Sequence, residues 1–240
     1  MIISKVNIDF VQVSSIQRNL FPIFTRKIAF MALKLTKVTP KKALNKAYLK
    51  VRPLRSEIDL FKSNLITLLS KINEVEREEN QKNHIRDFLR DTYYKGINEI
   101  NTKGTQDLVI HVDKTDQSQV GVIIEAKRPS NRSEWIAGDR VNVKAMHELV
   151  LYYMRERVDA KNIDIKYLVA TNIHEWFIFD AAYFDKIFYG NKKFVKQYEE
   201  WRDGLKVTKD TALFYNDIAK PLLDAMDDEM TVVENGKYNG

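Results

Sequence analysis

The chain has 240 residues, 44% of them hydrophobic and 30% charged, and no cysteine. That length suits one domain with appendages, since domains usually run to ~100–200 residues. The apolar content excludes wholesale disorder, and the missing cysteines exclude disulfides, thiolate metal sites and a cysteine nucleophile. The net charge of +6 is uneven: residues 1–62 hold thirteen Lys/Arg against three Asp/Glu, while the remainder is slightly acidic. A basic arm ahead of an acidic body points to a polyanion or to a solvated lead-in.

Residues 1–33 carry scattered apolar residues without a helical stripe. They read as an N-terminal extension, and Met31 reads as an alternative start. The longest apolar stretch, Leu20 to Leu33, is cut by Pro22, Arg26 and Lys27, so it is too short and too charged for a membrane span of ~18 residues. No membrane partner is expected, and a cytoplasmic location is. Residues 34–62 form the basic arm, with Pro40, Pro53 and closely spaced lysines. Ser56 is the expected N-cap of a helix starting near Glu57, where Ile58, Phe61, Leu65, Leu68, Leu69, Ile72 and Val75 recur at helical spacing. The stripe resumes at Ile85, Phe88 and Leu89 and stops at Gly96.

After Gly96 the period falls to two. Residues 96–101, 105–112 and 119–126 read as three strands joined by turns. A helix over 142–158 follows, then short strands at 167–170 and 176–179, then a helical, aromatic-rich stretch over 182–226. The expected domain spans 63–226, with a flexible tail over 227–240. The order predicts an α/β domain whose mixed β-sheet is flanked by helices. Short turns between strands argue against a purely parallel sheet.

The chemistry-bearing stretch is QVGVIIEAKRPSN, residues 119–131. Alternation puts Val120, Val122 and Ile124 on one face and Gly121, Ile123, Glu125 and Lys127 on the other. Asp107 opens the neighbouring strand, so a hairpin would set two carboxylates and one ammonium around a small volume. Carboxylate oxygens with a main-chain carbonyl suit Mg²⁺, a hard cation that activates water and polarises phosphate. Lys127 would orient the water and offset charge on phosphorus. The ordinary alternative is an exposed Glu125–Lys127 ion pair on an edge strand. His84, His111, His147 and His174 have no metal-ligand spacing and read as packing or surface residues.

Asp107, seventeen residues, then Glu125-Ala126-Lys127 on two apolar strands resembles the PD-(D/E)XK nuclease superfamily, the restriction-endonuclease-like fold. Gln106 stands where the motif name has proline. NHIRDFLRDTYY (83–94), NTKGTQDLVIHV (101–112), GVIIEAKRPSN (121–131), ELVLYYMRER (148–157) and VATNIHEWFIFDA (169–181) look like the N-terminal nuclease region of type IIG restriction–modification enzymes. The resemblance covers about residues 34 to 225 and implies Mg²⁺-dependent hydrolysis of double-stranded DNA. It implies Asp107, Glu125 and Lys127 as catalytic residues, with Asp107 and Glu125 as metal ligands. Superfamily members often add a carboxylate from the preceding helix. On an unbroken helix Glu78 would share the stripe of Ile85 and Leu89, and Glu79 is the runner-up. Arg128, Ser130, Asn131, Arg132 and Lys144 are the expected phosphate contacts.

Type IIG enzymes continue into a methyltransferase and a target-recognition domain. This chain has no paired glycine loop for a methyl donor and no Pro-Pro pair. It reads as a free-standing nuclease, or as a nuclease piece served by a separate methyltransferase and specificity polypeptide. The other reading, from a different class, is a catalytically idle DNA-binding or assembly fragment.

Overall fold

A computed structural model describes residues 33–73, 77–104, 108–137, 140–226 and 229–234. Its centre is a seven-stranded sheet in the order β1-β7-β6-β5-β4-β3-β2. The strands are β1 (Lys34–Val38), β2 (Ile100–Asn101), β3 (Leu108–His111), β4 (Val120–Ala126), β5 (Tyr167–Thr171), β6 (Trp176–Asp180) and β7 (Glu229–Glu234). β4–β5 and β1–β7 pair in parallel and all other neighbours are antiparallel. The domain is therefore α/β with a mixed sheet.

The sheet reaches further than residues 63–226. β1 comes from the basic arm and β7 from the expected tail, and they close one edge together. Neither segment alternates long enough to stand out alone. Val232 explains the insertion, because its side chain is fully buried in the main core.

Around the sheet lie α1 (Pro40–Ala43), α2 (Arg55–Ser70), α3 (Glu78–Leu89), α4 (Lys144–Met154), α5 (Ala181–Phe184), α6 (Lys192–Arg202), α7 (Thr211–Leu213) and α8 (Lys220–Ala225). The α2 cap lies at Leu54, not Ser56, because Glu57 accepts a hydrogen bond from the Leu54 N–H at 2.8 Å. The helical stripe is carried by two helices and not by an unbroken one: α2 stops at Ser70 and α3 begins at Glu78. A π-helical turn, Arg90–Tyr94, extends α3, and Gly96 then takes a left-handed conformation at φ +71° that suits glycine. Hydrogen bonds from the N–H groups of Ile97 and Asn98 to the Tyr94 carbonyl hold this turn, so β2 is confined to two residues.

Side-chain alternation divides the core between the two sheet faces. Leu108, Ile110, Val122, Ile124, Tyr167 and Val169 pack with Leu68, Ile85 and Leu89 from α2 and α3. Val109, Ile123, Leu168, Ala170, Phe177 and Phe179 pack with α4 and the C-terminal helices. Val120 breaks the expected alternation and joins the second group. The cause is a β-bulge: Ile110 pairs with Val122 while His111 pairs with Val120, leaving Gly121 extra. A Cβ at Gly121 would sit 3.1 Å from Val112 Cγ1.

Parallel strands need a crossover, and β4 to β5 is the parallel step between strands consecutive in sequence. The crossover carries α4, which is buried along its length from Ala145 to Met154. Beyond α4, rings meet in series through Phe184, Phe188, Phe194 and Phe214 in tilted and edge-on contacts, with neighbouring centroids 5.1–6.2 Å apart. Phe214 is fully buried and also meets Tyr198 and Trp201. Phe214→Ala should lower unfolding free energy by about 3–5 kcal/mol in urea denaturation, and Phe214→Leu by clearly less.

Candidate functional site

The site lies at the C-terminal end of β4. Glu125 and Lys127 point to the same face, as a period of two requires. They are not an exposed pair on an edge: β4 runs between β3 and β5, Glu125 is 0% exposed and Lys127 is 3% exposed. The Lys127 N–H donates to the Thr171 carbonyl at 2.8 Å, extending the pairing with β5 one residue past the strand. That bond fixes where the lysine stem leaves the sheet.

The Lys127 ammonium stands among four carboxylates. Nζ lies 2.7 Å from Glu125 Oε1, 2.6 Å from Glu148 Oε2, 3.5 Å from Glu78 Oε1 and 3.8 Å from Glu134 Oε2. Each comes from a different piece of chain: β4, the second turn of α4, the first residue of α3 and the loop after β4. Burial alone pulls the Lys127 pKa down, but Glu125 and Glu148 outweigh it and hold the ammonium above the ordinary lysine range. Lys127 is therefore a hydrogen-bond donor and a positive charge at neutral pH, not a base.

Glu78 arrives although the helix expected to carry it is broken. It opens α3, whose buried residues Gln81, Ile85 and Leu89 continue its stripe. The Glu79 side chain is 64% exposed and pairs with Lys82 at 3.5 Å. Asp107 lies outside the described residues. Leu108, the next residue in sequence, pairs with Ile124, which precedes Glu125.

The residues expected at phosphate divide into two groups. Asn131 and Lys144 turn towards Glu134: Asn131 Nδ2 donates to Oε2 at 3.0 Å and Lys144 Nζ donates to Oε1 at 3.2 Å. Ser130 and Arg132 are exposed and Arg128 is half-buried in the loop beside them, where the Arg132 N–H donates to the Ser130 carbonyl at 3.0 Å. The motif spacing does not reveal Glu134 or Glu148. Glu148 precedes an apolar and aromatic run, LVLYYM, and a carboxylate at a buried helical position is the one clue the sequence offers.

Among the described residues, no three His, Cys, Asp or Glu side chains form a ready ligand set for a metal. The donor chemistry nonetheless fits a hard cation, because carboxylate oxygens already surround a cationic ammonium. With all six groups ionised, Glu78, Glu125, Glu134 and Glu148 against Lys127 and Lys144 leave two negative charges in excess.

His147 adjoins the site on α4 but serves packing. Its Nε2 meets Asn142 Oδ1 at 2.5 Å and its ring stacks on Tyr215 at 6.0 Å. Burial, then Lys220, depress its pKa to about 4, against a partial opposing pull from Asp224. The folded value lies below the unfolded one, so the neutral ring contributes stability above pH ~6.5, lost as pH falls towards 4. Urea midpoints measured across that window should fall less steeply for His147→Gln than for the native chain.

No described helix is long and apolar enough to cross a membrane. The family model of a domain of unknown function, DUF7149, matches residues 38–235. No curated protein and no solved structure matches the chain.

Proposed function

Since the chain belongs to the DUF7149 family, whose description assigns no activity, the site has to speak for itself, and we propose that it is a Mg²⁺-dependent DNA endonuclease centre of the PD-(D/E)XK kind. The observation that carries this reading is the buried ammonium of Lys127 held between Glu125 and Glu148 with Glu78 close by. Charges are not buried at a strand end for stability, since apolar packing would serve as well or better. A net negative group of carboxylates around a fixed cation has a use where a divalent ion and a phosphate meet.

In this reading Glu125 and Glu78 would hold the ion, together with Asp107. Bound there, Mg²⁺ would supply an activated water and neutralise charge at a phosphate oxygen. Lys127, being protonated, donates hydrogen bonds: it orients the attacking water and offsets negative charge as phosphorus gains its fifth oxygen. Arg128, Ser130 and Arg132 would meet the DNA backbone beside the scissile phosphate, positioning it without reading bases. Asn131 and Lys144 would act one step back, holding Glu134. Sequence choice would come from a separate methyltransferase and specificity polypeptide, in a type IIG-like restriction–modification setting in the cytoplasm.

Supercoiled plasmid should be nicked or linearised with Mg²⁺ and left intact with EDTA. Glu125→Gln and Lys127→Gln should each lose about 100-fold or more in rate, with circular dichroism confirming the fold. Retarded migration of DNA without any cutting would instead support an idle DNA-binding fragment.

The arm adds a second element. Lys41, Lys42, Lys46, Lys50 and Arg52 are all exposed, and no acidic residue occurs between Lys34 and Ser56. They would track phosphates flanking the site. Replacing all five by alanine should weaken binding to duplexes of unrelated sequence alike. The slope of log affinity against log salt should flatten by about 0.9 for each phosphate that the arm no longer neutralises.

A further inference from the structure

Glu148 is more deeply buried than an anchor for a surface lysine would need to be, and it lies on a different element from the proposed ligands. Its side chain is 11% exposed, and Oε2 approaches Lys127 Nζ slightly more closely than Glu125 does, at 2.6 Å. Its other oxygen, Oε1, lies 4.0 Å from Lys144 Nζ. Lys144 reaches Glu134 at 3.2 Å, and Glu134 returns to Lys127 at 3.8 Å. The four groups close a ring of alternating sign, Lys127–Glu148–Lys144–Glu134. The ring is neutral in itself. The two negative charges outside the ring belong to Glu125 and Glu78, which are two of the proposed ligands of the ion.

This arrangement answers a difficulty in the proposed reaction. In the structure the ammonium sits on Glu125. A divalent ion that takes Glu125 removes that counter-charge and places two further positive charges beside Nζ. A lysine paired with Glu125 alone would then be repelled from the water it must orient, or would keep the ion out. We propose that Glu148 is a positioning residue: it is the second seat of the Lys127 ammonium, which holds it in place when Glu125 turns to a divalent cation. The inference rests on the nuclease reading for the identity of the ion's ligands. Glu148 touches neither ion nor DNA in this role and acts through Lys127. The closed ring supplies the stiffness, because Lys144 and Glu134 limit how far the Glu148 carboxylate can swing.

The test is Ca²⁺ binding to the full chain by titration calorimetry, with no DNA present. Glu148→Gln should weaken Ca²⁺ about 10-fold or more, because the ammonium loses the charge that offset it. The double variant Glu148→Gln/Lys127→Gln should return to within about 3-fold of the native affinity, since the repelling charge has gone too. Glu148→Asp keeps the charge and should bind nearly as the native chain does. It also serves as the probe if Glu148→Gln does not fold, read against Glu148→Asp/Lys127→Gln for the same dependence on the ammonium. Native affinity in Glu148→Gln, or a double variant as weak as the single one, would overturn the role of Glu148 and leave the nuclease reading standing. A native chain that binds no Ca²⁺ would overturn both.

Discussion

A single ammonium organises this protein's chemistry. Lys127 leaves the sheet at the end of a fully buried strand and is solvated not by water but by carboxylates. An isolated ammonium could not remain charged there, because desolvation would drive off its proton. Glu125 and Glu148 outweigh that cost and keep the ammonium charged. This is why separate pieces of chain converge on one nitrogen.

The fold supplies the convergence. A parallel step between β4 and β5 obliges the chain to cross the sheet, and α4 is the crossing element. Its apolar length seals one face of the sheet, and the same burial carries Glu148 down to Lys127. On the opposite side α3 is pinned by Ile85 and Leu89, and its first residue overhangs the end of β4. After β4, Glu134 lies within reach of both lysines. A series of tilted and edge-on aromatic rings lies behind α4, and Tyr153 of α4 meets it at Phe184. Stability and site geometry thus share the same packing, and loosening it behind α4 would move Glu148.

Part of this was legible from residue order alone. The strict alternation in VIIEAK determined that Glu125 and Lys127 share a face, and the apolar content of the strand pointed to burial. The helical stripe leading to Ile85 and Leu89 singled out Glu78 over Glu79, although the helix proved to be broken before it. The stripe is a property of a turn or two, so it survived the interruption. The alternation failed at Val120, where a bulge at Gly121 adds one residue and reverses the face. A bulge depends on the partner strand, which a single strand's pattern does not contain.

By itself the sequence determined the α/β class, the two-residue step joining carboxylate to ammonium, and the basic approach to the domain, because each follows from local periodicity or from charge counted along the chain. Only the tertiary structure decided that β1 and β7 close the sheet, that Lys144 and Asn131 turn inward to Glu134, and that Glu148 meets Lys127. The sheet closure and the Glu148–Lys127 contact join distant parts of the chain, and the contacts of Glu134 depend on how the loop after β4 folds back on itself. Their distances are set by the whole sheet and its crossover, and no spacing along the chain encodes them.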